Sequence, residues 1–138
     1  MLISDLPEVL ELCRQLGYDN ELPALHVRYL QLGRLPEHGL FVTEEKGEVV
    51  GFLHLRDSIS FIRESNLEVV AIVVENRRRG KGYGKELLAF AQKKAKEKGY
   101  GTVFLSSRDS RTDSHRFYEA QGFSAVKKSF GFQKDLGS

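Results

Sequence analysis

The stretch ENRRRGKGYGKELL, residues 75–88, holds the groups of this chain best suited to binding an anion. Glycines at 80, 82 and 84 remove side chains that would keep a phosphate from the backbone. Arginines 77–79 and Lys81 add positive charge around them. An apolar run precedes the stretch and a helix-forming run follows it. Free main-chain N–H groups and the positive end of a helix dipole are therefore expected at one spot. Spacing excludes two nucleotide motifs. A P-loop requires glycine, four residues, then Gly-Lys-Ser/Thr, but Arg79 stands where the first glycine belongs and Glu86 follows Gly84 and Lys85. The GxGxxG fingerprint read from Gly80 meets Lys85 where its third glycine should be. The alternative without a ligand is a solvated basic helix start containing a glycine bend.

Few other side chains offer chemistry. His54 is the only ionisable residue in GFLHL, and Glu68 stands at the head of an apolar run, a carboxylate entering a sheet and hence a candidate base. Cys13, the single cysteine, lies far in sequence from the loop, and no serine or cysteine has a recognisable partner base, so no covalent intermediate is expected. One cysteine also excludes an internal disulfide and a cysteine-rich metal site. No other ligand spacing points to a metal. Nucleic-acid binding through residues 77–81 is disfavoured, because no aromatic platform is interleaved with the basic residues and no second basic element exists.

The elements that must position these groups follow from periodicity. SDLPEVLELCRQLGY offers Ser4 or Asp5 as a cap, Pro7 in the first turn, and Leu6, Val9, Leu10 and Cys13 at helical spacing before Gly17. A second helix carries Leu22, Leu25, His26, Tyr29 and Leu30 and ends near Gly33 or Pro36. LFVTEEKGEVVGFLHLRD predicts a hairpin turning at Lys46 and Gly47. LEVVAIVV, residues 67–74, is nearly continuous in apolar β-branched residues and predicts a central strand buried on both faces. After the glycine turn, Leu87, Leu88, Ala91 and Ala95 form the apolar stripe of a helix closed by Gly99. TVFLSS predicts a strand, residues 112–121 a short helix, and FSAVKKSFGFQKDL a final hairpin around Lys127 and Lys128. This order predicts an α/β (α+β) fold, a mixed sheet with helices on its faces.

With 138 residues, 41% apolar and 29% charged, the chain fits one compact domain over residues 1–138. Its net charge of +2 makes the basicity local. No apolar run reaches the ~18 residues of a membrane span, and MLISDLPEVL lacks the pattern of a secretory signal. A cytoplasmic location is expected.

Placed between a central strand and a helix, the loop resembles the pyrophosphate-binding motif of the GCN5-related N-acetyltransferases (GNAT), Arg/Gln-x-x-Gly-x-Gly/Ala, with Arg79, Gly82 and Gly84 at its fixed positions. DSHRFYEAQGF, residues 113–123, is similar to that family's later motif, in which a short helix carries a tyrosine ahead of Gly-Phe. The order of elements matches as well, so the resemblance covers nearly the whole chain. Two features depart from it. Only residues 1–3 remain for the family's first strand, and Arg111 stands near the place of an asparagine often found ahead of the second motif. The LSS strand end, RTDSHRFY and the closing FxKxL look most like the aminoalkylphosphonate and small-amine acetyltransferases.

The resemblance implies a GNAT-like, largely antiparallel central sheet flanked by helices and an acetyl-CoA-dependent N-acetyltransferase acting on a primary amine by direct attack in a ternary complex. The pyrophosphate would lie on the N–H groups of Arg79, Gly80, Lys81, Gly82, Tyr83 and Gly84, and the pantetheine along the backbone of Ile72, Val73 and Val74, like an added strand. Tyr118 matches the family's general acid and Glu68 a glutamate often near the acetyl group. Arg111, His115 and Phe117 are further candidate contacts to the coenzyme. His54 is a second candidate base, while His26 and Tyr29 are on a helix that commonly borders the acceptor site. A divalent ion assists some relatives with the acceptor. The resemblance favours a small-molecule amine over a protein and allows a homodimer through the last hairpin. A non-catalytic coenzyme A sensing module of the same fold is the alternative.

Overall fold

The computed structural model describes residues 1–107, 112–127 and 129–137. The chain forms two compact units, Met1–Ser106 and Ser107–Ser138.

In the first unit, α1 (Leu6–Gln15) and α2 (Leu22–Leu32) precede the strands β1 (His38–Glu45), β2 (Glu48–Ser58) and β3 (Asn66–Val74). α3 (Tyr83–Glu97) then leads to β4 (Val103–Leu105). The strand order is β1-β2-β3-β4, with the first three antiparallel and β4 parallel to β3. The sheet is thus mixed and largely antiparallel, as expected. Lys46, at φ 51, and Gly47, at φ 82, make the tight β1–β2 turn, because such a turn needs positive φ at both central residues.

Each face of the sheet meets a different helix. On one, Leu53, Leu55, Leu67 and Val69 are buried with Leu87 and Leu88 of α3, and Phe41 meets Phe90 edge-on at 4.7 Å. On the other, Val49, Phe52 and Val73 pack with Val9 and Leu12 of α1, and Leu40, Val42 and Ala71 border that cluster. The α1 carboxylate of Glu8 accepts the Val49 N–H at 2.8 Å, tying helix to strand. α2 buries no residue fully, so it covers the sheet only at its margin.

Residues 1–3, all that remained for the family's first strand, form no strand; a 3-10 turn at Ile3–Asp5 opens the chain, and the Met1 ammonium donates to the Leu40 carbonyl at 3.4 Å beside β1. Two local expectations change. β3 is not uniformly buried. His54 pairs with Ala71 but Leu55 with Val69, which leaves Val70 as an extra, 43% exposed residue in a β-bulge. The final hairpin is absent among the described residues from 123 onward, where Val126, Phe130, Phe132 and Leu136 are exposed. Alternation supplies a strand's pattern, but a strand also needs a partner for its backbone hydrogen bonds.

In the second unit, α4 (Thr112–Ala120) is closed by Gly122 at φ 91, and the Phe123 N–H donates to the Tyr118 carbonyl at 3.0 Å.

Leu53 has no exposed surface, so Leu53→Ala should cost about 2–5 kcal/mol by loss of burial and a residual cavity. Chemical denaturation measures this, and a loss under about 1 kcal/mol would show that the α3 face does not depend on this residue.

Candidate active site

The chain is anchored tightly up to Arg78 and left open beyond it. Leaving β3, the Glu75 N–H donates to the Val50 carbonyl at 2.8 Å and the Asn76 N–H to the Gln15 side chain at 3.0 Å. The Arg78 guanidinium donates to Glu45 and Glu75, each at 2.7 Å, and to Glu48 at 3.0 Å, while Arg77 donates to Glu75 at 3.0 Å. Two of the three arginines expected to surround an anion therefore neutralise carboxylates instead. Arg78 pins the strand exit to the β1–β2 turn. Arg78, and then the Tyr83 hydroxyl, hold the Glu45 carboxyl below the usual carboxylate range, and Arg77 and Arg78 do the same for Glu75.

Beyond this clamp, Gly80 and Gly82 adopt φ of 81 and 90, a left-handed region that costs other residues steric strain. Gly82 is the N-cap of α3, and no side chain caps that helix. The first intrahelical bond runs from the Glu86 N–H to the Gly82 carbonyl at 3.0 Å, so the N–H groups before it have no acceptor within the helix. No heavy atom stands within 4 Å of where a Cβ on Gly80 or Gly82 would be. The site combines open space, uncapped amides and the exposed Arg79 and Lys81.

Ile72, Val73 and Val74 lie just upstream. β4 pairs with β3 only at Leu67, Glu68 and Val69, so residues 70–74 have β2 on one side and no strand on the other among the described residues. An extended ligand would find backbone hydrogen-bonding groups there.

A second cluster occupies the α1 face. The cross-strand pairs His38 with Arg56, Leu40 with His54, and Arg56 with Glu68 place these side chains on one face. His38 Nδ1 and His54 Nε2 are hydrogen-bonded at 2.8 Å. Arg56 pairs with Glu68, so the carboxylate read as a candidate base at the strand head accepts from a guanidinium. Burial first, then His38 and Arg56, push the His54 imidazole from an ordinary 6.5 down to about 4. Such a ring is neutral at pH 7 and, alone, a weak base. A cavity of about 440 Å³ adjoins this cluster, lined by Met1, Tyr29, Arg34, His38 and Leu40 among others. Tyr29 is thus at a pocket, whereas His26 is exposed and outside its lining. His38 was not legible as a site residue, because nothing in HGLF marks it until β1 and β2 are in register. Cys13 is half-buried, and burial pushes its thiol up, away from nucleophile chemistry.

His115, Phe117 and Tyr118 are half-buried on α4 in the second unit. The Tyr118 ring lies 5.6 Å from that of Phe117 and 6.3 Å from that of Phe123. Arg111 lies outside the described residues. Among the described residues no three His, Cys, Asp or Glu side chains are grouped to hold a metal, and no helix is long and apolar enough to cross a membrane.

Comparison with known proteins adds to this geometry. Residues 6–123 match the acetyltransferase (GNAT) family. The chain is 34% identical over 91 residues to the aminoalkylphosphonate N-acetyltransferase of Salmonella typhimurium, a match covering 65% of this chain and 58% of that enzyme's length. It is also 34% identical over 98 residues to the uncharacterized N-acetyltransferase YhdJ of Bacillus subtilis, covering 70% of this chain and 68% of that one. The fold is similar to an aminoglycoside N-acetyltransferase solved with a bisubstrate analog of coenzyme A and acetylneamine, with a TM-score of 0.83 at 19% identity over 96% of this chain and 93% of that chain.

The His54 environment predicts a pH effect. Its folded value lies below its free one, so as pH falls the unfolded chain takes up the proton first. Stability from this residue is complete above about 6.5 and is lost as pH falls toward about 4. NMR titration should place the His54 midpoint near the lower figure, and His54→Gln should flatten denaturation stability across that window. A midpoint near 6.5 would contradict the burial described.

Proposed function

The chain belongs to the acetyltransferase (GNAT) family, and we propose on that basis that it transfers an acetyl group from acetyl-CoA to the primary amine of a small molecule. One observation carries this most directly: the uncapped, glycine-lined start of α3, with open space before it and a strand edge leading to it. The two units then act as one acetyltransferase domain over residues 1–138.

Gly80, Lys81, Gly82, Tyr83 and Gly84 hold the pyrophosphate through main-chain N–H groups, and Arg79, whose own N–H donates to the Asn76 carbonyl at 3.4 Å, joins Lys81 in supplying charge. Uncapped amides favour a dianionic diphosphate over water because the helix dipole adds to their hydrogen bonds. The backbone of Ile72, Val73 and Val74 takes the pantetheine as a strand-like neighbour, and Arg111, His115 and Phe117 contribute further contacts to the coenzyme. Coenzyme A was bound as an analog in the aminoglycoside enzyme of similar fold, which supports this ligand.

An alkylamine with a pKa near ~10.4 costs about 4–5 kcal/mol to present as the neutral nucleophile at pH 7. The negative carboxylate of Glu68 at the head of β3 draws the ammonium to the sheet, and Arg56 holds that carboxylate in place. After direct attack in the ternary complex, the thiolate, with a pKa near ~8.5 by analogy with cysteine, takes the proton of the Tyr118 hydroxyl. The phenolate regains a proton from the nitrogen of the collapsing adduct. The acceptor occupies the Tyr29, Arg34, His38 and Leu40 cavity. An amine that also bears an anionic group suits Arg34, which agrees with the aminoalkylphosphonate enzyme among the relatives.

Thiol release from acetyl-CoA over a panel of an aminoalkylphosphonate, an aminoglycoside and a polyamine tests this. At least one should be acetylated, and Tyr118→Phe should lower its turnover about 10²-fold or more with coenzyme affinity nearly unchanged. Tight coenzyme binding without turnover of any amine would favour the sensing module, and an unchanged rate in the variant would remove the acid role.

A further inference from the structure

The two histidines on the α1 face hold a position that the steps above do not use. His54 lies directly across from Ala71, next to the bulge at Val70, one strand from β3. His38 lies two strands from β3 and lines the cavity. With strands about 4.8 Å apart, the pair bridges β1 and β2, from the strand that neighbours the donor strand β3 to the pocket assigned to the acceptor. Their rings are joined through His38 Nδ1 and His54 Nε2 at 2.8 Å, with ring centres 5.1 Å apart. We propose that His54 and His38 form a two-imidazole relay that carries the proton of the acceptor ammonium from the β3 side of the sheet out to the cavity.

The relay rests on the acetyl-transfer reading and adds to it the group that deprotonates the amine. In the starting tautomers, both rings carry hydrogen on Nε2. The ammonium gives one proton to His54 Nδ1 as the His54 Nε2–H passes to His38 Nδ1, and the His38 Nε2–H passes to water. The amine is left neutral with its electron pair free, both rings stay uncharged overall, and the water carries the proton away. Between turnovers, the same path runs backwards with water at each end of the emptied site and restores the tautomers. Concerted transfer spares His54 a positive charge, which its surroundings oppose. Burial, His38 and Arg56 all disfavour the cationic ring. The charged and titratable groups about the pair are Arg56 on β2, Glu68 on β3 held by Arg56, Arg34 beyond α2, Tyr29 on α2, and the Met1 ammonium at the Leu40 carbonyl. His38 lines the cavity of about 440 Å³, and water beside the bound acceptor takes the proton there.

The experiment compares His38→Gln, His54→Gln and the double variant with the wild type, using acetyl-CoA and whichever panel amine the wild type acetylates, from pH 6 to pH 10. Each single variant should lose about 10²-fold in turnover at pH 7. The double variant should lose no more than the worse single, because either break interrupts one path. The deficit should shrink as pH approaches the amine's own pKa, near ~10.4 for an alkylamine, where deprotonation needs no help. Coenzyme-induced stabilisation of each variant separates folding from chemistry. Wild-type turnover and pH profile in a stably folded single variant, or losses that multiply in the double variant, would overturn the relay while leaving the acetyl-transfer reading intact. A wild type that binds the coenzyme and acetylates no amine would overturn that reading and the relay with it.

Discussion

The first N–H groups of α3 have no acceptor inside the helix, and the sequence places no serine, threonine, aspartate or asparagine at the N-cap to supply one. Gly82 occupies that position with a left-handed φ and brings no side chain to cap them. Holding such a turn takes more than glycine, whose freedom would favour many conformations. The Arg78 clamp on Glu45, Glu48 and Glu75 fixes the chain before the turn, and the burial of Leu87 and Leu88 fixes it after. Both sides of the turn are thus tied down while the first amides of α3 keep no acceptor within the helix, and two of the three arginines, Arg77 and Arg78, serve that anchoring.

The sheet divides its two faces by chemistry. Toward α3 it is largely apolar, and the helix rests on it through Leu87, Leu88 and Phe90, with one ion pair from Lys98 to Asp57 at the helix's C-terminal end. Toward α1 the core formed by Val9, Leu12, Phe52 and Val73 gives way along the strands to His54, His38, Arg56 and Glu68. Ionisable groups on a half-buried face need partners, and each of these has one: imidazole with imidazole, guanidinium with carboxylate. The bulge at Val70 lies at the junction, where β4 has already left β3 and where the apolar and polar parts of the α1 face meet.

Much of this was legible in the sequence because it depends on local pattern. The apolar runs of β2 and β3, the Lys46-Gly47 turn, and the stripe of Leu87, Leu88, Ala91 and Ala95 all appear where periodicity puts them. What depends on register was hidden. One extra residue at Val70 determines which residues of β3 face α1, and no residue type announces it. His38 acquires meaning only once β1 pairs with β2, and Arg78 reads as a surface cation until three glutamates from separate segments converge on it. Glu68 was visible as a carboxylate at a strand head, but its guanidinium partner sits twelve residues earlier, across the sheet. The alternating tail from residue 123 shows the converse, since pattern alone produced no strand among its described residues.

The open amides at the start of α3 are tested most directly by following backbone N–H resonances while coenzyme A is titrated. Saturable shifts centred on Gly80, Lys81, Gly82, Tyr83 and Gly84, with the resonances of α1 little changed, are the predicted result. A folded protein in which saturating coenzyme A leaves those five amides unmoved would contradict the assignment of this turn as the diphosphate cradle.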